Sequence, residues 1–152
     1  MVRATCDRCH GPLHQIMMKP ITRSNGMRES GEMYLETILI LGKENNTVRA
    51  TDIASRLGYS KASVSRAVGK LNSEGHIVVG SNGHIALTER GRNIAEKIYE
   101  RHHVLTEVLS SLGVDPGCAA EDACRIEHVI SDEAFSAIKQ HLIRFGTGKK
   151  DE

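Results

Sequence analysis

Within Asp122-Ala123-Cys124-Arg125-Ile126-Glu127-His128, a thiol, a carboxylate and an imidazole recur at i, i+3 and i+4. That spacing places all three on one face of a helix. Thiolate, carboxylate and imidazole converging on one side make a ready site for a divalent transition metal. A single helix supplies only part of a coordination sphere, so the remaining ligands must come from other elements. Met33 with Glu36, at i and i+3 on an earlier segment, and His102 are the candidates. His102 continues the apolar stripe Ile98, Leu105, Leu109 and therefore faces the core. Each residue has a plainer reading alone: a satisfied core histidine for His102, a small buried hydrophobe for Cys124. The metal site is read from the set.

A second constellation suits phosphates. Residues 49 to 75 hold Arg49, Arg56, Lys61, Arg66 and Lys70 against Asp52 and Glu74, a local balance of +3. A short helix from Arg49 to Gly58 ends at a glycine suited to a left-handed terminating position. After the Gly58-Tyr59 turn, Ser60 can cap a helix from about Lys61 to Glu74, with Val64, Val68 and Leu71 at helical spacing. Two helices so joined form a helix-turn-helix. Its second helix enters the major groove with its N-terminal residues toward base edges. Here those are Ser60, Lys61, Ala62, Ser63, Ser65 and Arg66. Ala62 can meet a thymine methyl and Arg66 a guanine in bidentate fashion, while Lys61 and Lys70 hold phosphates. The plainer reading is a solvated helix face. Ser81-Asn82-Gly83 separates His76–Gly80 from His84–Thr88, and Asn-Gly between β-rich runs is a strong hairpin signal. A hairpin directly after a helix-turn-helix gives a winged helix, whose tip around Asn82 lies near the DNA backbone.

The elements that must position these residues follow from caps and periodicity. Ser30 caps a first helix to about Gly42, with Met33, Tyr34, Leu35, Ile38, Leu39 and Leu41 on its apolar side. A long amphipathic helix runs from Glu89 to about Ser111. Asp115 caps the next, with Pro116 at its first position, and Ser131 starts a last one toward Ile143.

The chain has 152 residues, 39% hydrophobic and 26% charged, with a formal net charge of +1. That near-neutral sum conceals a polarised chain, because residues 76 to 152 carry nine basic against twelve acidic residues, or −3. Aromatics are 3% and tryptophan is absent, which argues against stacking platforms for single strands. No apolar run approaches the roughly 18 residues of a membrane span and no secretory signal opens the chain, so a cytoplasmic protein with no membrane partner is expected. Cysteines stand at 6, 9, 118 and 124 and read as thiols or metal ligands. Cys6-Asp7-Arg8-Cys9-His10 fits a c-type haem attachment pattern, but without an export signal it reads as an extension, or as half of a zinc site with His14. A Cys/Glu/His cluster is also compatible with a catalytic metal or an activated thiolate. No oxyanion hole, glycine-rich phosphate loop or second catalytic motif accompanies it, so no enzyme is expected.

Four motifs, in order, carry a resemblance: Glu32-Met33-Tyr34-Leu35-Glu36, the helix-turn-helix from Asp52-Ile53-Ala54 to Ser63-Val64-Ser65, Leu87-Thr88-Glu89-Arg90-Gly91, and Asp122 through Glu133. Over about residues 27 to 143 the chain resembles the diphtheria toxin repressor family of metal-dependent transcriptional repressors. The resemblance implies a homodimer that binds double-stranded operator DNA through an N-terminal winged helix and binds metal and dimerises through its C-terminal helices. It assigns a primary site to Met33, Cys124, Glu127 and His128, and a second ion to the positions of Glu36 and His102. Manganese-type members carry Asp in place of Met33 and Glu in place of Cys124, so the sulfur donors point to Fe(II), with Mn(II) the alternative. Two features depart from the iron type. Thr106 and Ala120 stand where it offers a carboxylate and a histidine, and the chain lacks the length for its SH3-like third domain. The expected fold is mainly α with a small β-hairpin. Residues 1–29 form a disordered extension, 30–90 a winged helix-turn-helix DNA-binding domain, 91–145 an all-helical metal-binding and dimerisation domain, and 146–152 a disordered tail. A winged-helix regulator whose later helices only dimerise is the alternative without metal sensing.

Overall fold

The computed structural model describes residues 28–145, with side chains from residue 31 onward. Cys6, Cys9, His10, His14 and the tail beyond Phe145 lie outside the described residues. Six helices and one antiparallel hairpin follow in the order α1 (Arg28–Glu44), α2 (Ala50–Leu57), α3 (Lys61–Ser73), β1 (Ile77–Val79), β2 (Ile85–Leu87), α4 (Glu89–Ser111), α5 (Pro116–Ile126) and α6 (Asp132–Phe145). They divide into two compact units, the division falling inside α4 after Tyr99. Among the described residues no helix is long and apolar enough to cross a membrane.

The earlier unit is a winged helix. Its core is built from Leu35, Ile38 and Leu39 of α1, Ile53 and Leu57 of α2, Val64, Val68 and Leu71 of α3, and Ile77 and Ile85 of the hairpin, all buried. Tyr34 meets Tyr59 with ring centroids 6.2 Å apart. Burial first, and Tyr59 second, hold the Tyr34 hydroxyl above the usual tyrosine range. β1 and β2 pair in the register Ile77↔Leu87, Val78↔Ala86 and Val79↔Ile85, and the Ile85 N–H donates to the Val48 carbonyl at 2.8 Å, seating the wing on the chain before α2.

Where α4 begins, the Leu87-Thr88-Glu89-Arg90-Gly91 motif gains a structural reason. Thr88 Oγ1 accepts from the Gly91 N–H at 3.1 Å, capping α4. The same hydroxyl donates to the Gly75 carbonyl at 2.8 Å. A Cβ on Gly91 would collide with the His76 carbonyl, so only glycine lets α4 pass this close to β1.

In the later unit, Asp115 accepts from the Gly117 and Cys118 N–H groups at 3.0 and 3.4 Å, with Pro116 at the first helical position of α5. Gly117, Ala119, Ala120 and Ala123 form the buried face of α5. Ser131 Oγ accepts from the Ala134 N–H at 3.1 Å and starts α6, which buries Phe135 and Leu142.

Two sequence expectations need correction. Ser30 does not cap α1, which begins at Arg28; nothing in Arg28-Glu29 breaks a helix, so the turn extends past the serine. The helix holding Cys124 stops at Ile126, so Glu127 sits at its C-cap and His128 in the following turn. The turn that follows is bonded by Arg101, whose guanidinium donates to the Glu127 and Ile130 carbonyls.

Candidate metal centre and nucleic-acid interface

The later unit gathers three of the expected metal ligands. Glu127 is wholly buried and His102, on α4, is 4% exposed. His102 Nδ1–H donates to the Glu127 carboxylate at Oε2, 2.8 Å away. His128 Nε2 lies 3.3 Å from Glu127 Oε1, and that oxygen is buried without a hydrogen bond. Cys124, half-buried, stands one turn earlier on α5 with its sulfur reduced. Glu127 N–H bonds the Ala123 carbonyl at 2.9 Å, so the helical spacing from Cys124 to Glu127 persists even though the helix ends there.

A buried carboxylate is costly unless cations or donors surround it. Glu127 has two imidazoles against it and one oxygen outside any hydrogen bond, which is how a ligand oxygen would be left for a cation. Carboxylate, imidazole and thiol are a donor set that fits a divalent first-row ion. Thr106 Oγ1, by contrast, donates to the His102 carbonyl at 2.8 Å, and Ala120 is buried, so neither position supplies a ligand.

Met33 and Glu36 belong to the earlier unit. They stand one turn apart on α1, Met33 half-buried and Glu36 buried, with the Thr37 hydroxyl donating to the Met33 carbonyl at 2.7 Å.

The earlier unit also carries α3, the candidate reading helix. Gly58 adopts φ 67° at the end of α2, as its sequence position requires. Ser60 Oγ accepts from the Ser63 N–H at 3.2 Å and donates to Ser63 Oγ at 2.9 Å. Ser63 is half-buried and accepts from Arg66 Nη2 at 3.4 Å. Ser60, Lys61, Ala62, Ser65, Arg66 and Lys70 are exposed on α3, opposite its buried Val64, Val68 and Leu71. Lys70 lies 3.8 Å from Glu74 one turn on. At the wing, Gly83 takes φ 78° and its N–H bonds the Gly80 carbonyl at 2.9 Å. Ser81 and Asn82 are therefore the central residues of the turn, and the strands are a residue shorter at each end than the sequence suggests. Asn82 Oδ1 accepts from the His84 N–H at 3.1 Å, and Arg49 Nη2 donates to His84 Nε2 at 3.1 Å. His84 thus joins Arg49 to the wing tip, a link that residue type alone did not signal.

Two family models match in succession: "Iron dependent repressor, N-terminal DNA binding domain" over residues 27–85 and "Iron dependent repressor, metal binding and dimerisation domain" over 88–147. The chain belongs to the iron-dependent repressor family. Members of this family are metal-dependent, DNA-binding transcriptional repressors. An uncharacterized HTH-type transcriptional regulator of Methanocaldococcus jannaschii is 35% identical over 121 residues, which cover 78% of this chain and 97% of that protein. The diphtheria toxin repressor of Corynebacterium diphtheriae is 36% identical over 106 residues, covering 69% of this chain but only 47% of that protein, so the chain spans about half its length. A manganese-dependent transcriptional repressor in complex with manganese superposes with a TM-score of 0.68 at 27% identity, over 74% of this chain and 52% of that one. The division between the two family models, at residues 85–88, falls at the joint that Thr88 and Gly91 make.

Sequence reasoning missed Arg101. It is 6% exposed, and its guanidinium bonds the turn that carries Glu127 and His128. The signal available was its place beside His102, but an arginine in a charged helix reads as solvated.

Proposed function

We propose that this chain represses transcription of metal-homeostasis genes in the cytoplasm, with Fe(II) as corepressor, as a homodimer on double-stranded operator DNA. The observation that carries the metal reading is the buried Glu127 carboxylate, flanked by His102 and His128, with Cys124 one turn away. Met33, Glu36, His102, Cys124, Glu127 and His128 would hold the ion, which supplies positive charge where Glu127 is otherwise buried. Sulfur from Met33 and Cys124 favours Fe(II) over the harder Mn(II). The relative bound to manganese keeps Mn(II) as the second reading.

In this proposal residues 30–90 read DNA and 91–145 bind metal and dimerise. Arg66 reads a base, Ser60, Ala62, Ser63 and Ser65 line the approach, and Arg49, Lys61, Lys70 and Asn82 position the backbone. Leu112, Val129, Ile143 and Phe145, each at least 66% exposed, offer the apolar surface a dimer would cover. Metal that binds only the DNA-competent arrangement shifts the population toward it by its differential affinity.

The test is retention of promoter DNA in a gel with Fe(II) under anaerobic conditions, with Mn(II), and with neither. Retention should depend on metal and be lost in the Glu127→Ala, His128→Ala double variant. Metal-independent retention, or retention by the double variant, would overturn the reading in favour of a winged-helix regulator without metal sensing.

A further inference from the structure

Arg101 is the charged residue the proposed function leaves unexplained. It occupies the position before His102 on α4, and its side chain is buried. Nη1 donates to the carbonyl oxygens of Glu127 at 2.9 Å and Ile130 at 3.0 Å, and Nη2 bonds and ion-pairs with Asp132 Oδ1. The Phe135 ring centroid lies 5.4 Å from the guanidinium carbon. Nε makes no hydrogen bond.

These contacts define the shape of one short turn. After α5 ends at Ile126, the Ile126 carbonyl accepts from both Val129 and Ile130 N–H groups, at 3.0 and 2.9 Å. The Glu127 and Ile130 carbonyls point away from that ladder and end on the guanidinium. The negative end of α5 favours a cation there, and Asp132, in the first turn of α6, is ion-paired with the same group. One planar fork therefore closes α5, opens α6 and sets the backbone from which the Glu127 and His128 side chains leave. Its neighbour His102 holds the Glu127 carboxylate itself at 2.8 Å. Two consecutive residues of α4 thus grip Glu127, one by its main chain and one by its side chain.

We infer that Arg101 is a positioning residue for metal binding: it shapes the 127–130 turn so that Glu127 and His128 meet one ion, without touching that ion. The inference rests on the metal reading proposed above. A lysine cannot replace the fork, because a single ammonium does not reproduce two diverging guanidinium bonds in one plane.

Titration of the full chain with Mn(II), and anaerobically with Fe(II), measures it. Arg101→Met should raise the dissociation constant ten- to a hundredfold, the usual cost of losing a group that orients metal ligands, and Arg101→Lys should fall between it and the wild type. Hydrogen exchange at the Val129 and Ile130 amides of the metal-free protein should quicken in both. Phe135→Leu separates this from general loosening. It removes packing on the same guanidinium but none of its turn contacts, so it should lower the unfolding midpoint and leave the dissociation constant unchanged. If Arg101→Met does not fold, Arg101→Lys carries the test. Wild-type affinity in the Arg101 variants, or equal weakening by Phe135→Leu, overturns the positioning role and leaves the metal reading standing. Failure of the wild type to bind either ion overturns the metal reading, and this inference with it.

Discussion

The two units place their functional side chains in opposite ways. On α3 the residues proposed to read DNA are exposed, and the residues that hold the helix in place, Val64, Val68 and Leu71, are different ones on its other face. In the later unit the candidate ligands Glu127 and His102, with the neighbouring Arg101, are themselves buried and are core residues as well as chemistry. A surface reader can change its contacts with little effect on its fold, whereas a buried centre cannot lose a member without stranding a charge or a donor. The difference also separates what each unit can lose, and substitutions can press on it.

The largest effect is expected at the joint beneath the wing, where the reading unit ceases to be tolerant. Gly91→Ala drives a Cβ into the His76 carbonyl, and backbone has to move. A loss of about 2–3 kcal/mol is expected, the upper range for overpacking, read as a fall of roughly 4–12 °C in the unfolding midpoint. A wild-type midpoint would mean that the joint is looser than its geometry. Next comes Arg66→Ala, at an exposed residue bonded to Ser63 at 3.4 Å. It should weaken operator binding by about 1–3 kcal/mol, about fivefold to over a hundredfold, with stability held to within about 0.5 kcal/mol. A large drop in stability would break the contrast between the units.

How much was legible in the sequence follows the same divide. The winged helix could be read because its signals are local: Ser60 before α3, Gly58 at its left-handed turn, Asn82-Gly83 at the wing, period-3.6 apolar residues between. The bounds of α4 agree for the same reason, since Thr88 and Glu89 mark its start. In the later unit the candidate ligands Cys124, Glu127 and His128 stood out by their spacing, and the inward face of His102 by its stripe. The early end of α5 was not. The turn there is bonded by Arg101, whose contact with the Glu127 carbonyl spans 26 residues, and no local pattern announces a contact across that separation. The role of Gly91 was equally silent, because what forbids a side chain there is the carbonyl of His76.

Ser60 is where the contrast can be sharpened most finely, since it is both a cap and a member of the reading face. Its Oγ accepts the Ser63 N–H at 3.2 Å, so Ser60→Ala should cost about 1 kcal/mol of stability. Ser60→Asp supplies an equally good cap and should restore that stability. Its added carboxylate, however, would sit at the end of α3 where phosphates are expected, so DNA affinity should fall below that of Ser60→Ala, most clearly at low salt. Chemical denaturation and salt-dependent DNA titration of the two variants then separate holding the helix from reading with it. If aspartate restored stability and left DNA affinity at the wild-type level, the exposed face of α3 would not be the surface that meets the duplex, and the division between a tolerant reader and an interlocked centre would need to be redrawn around the wing.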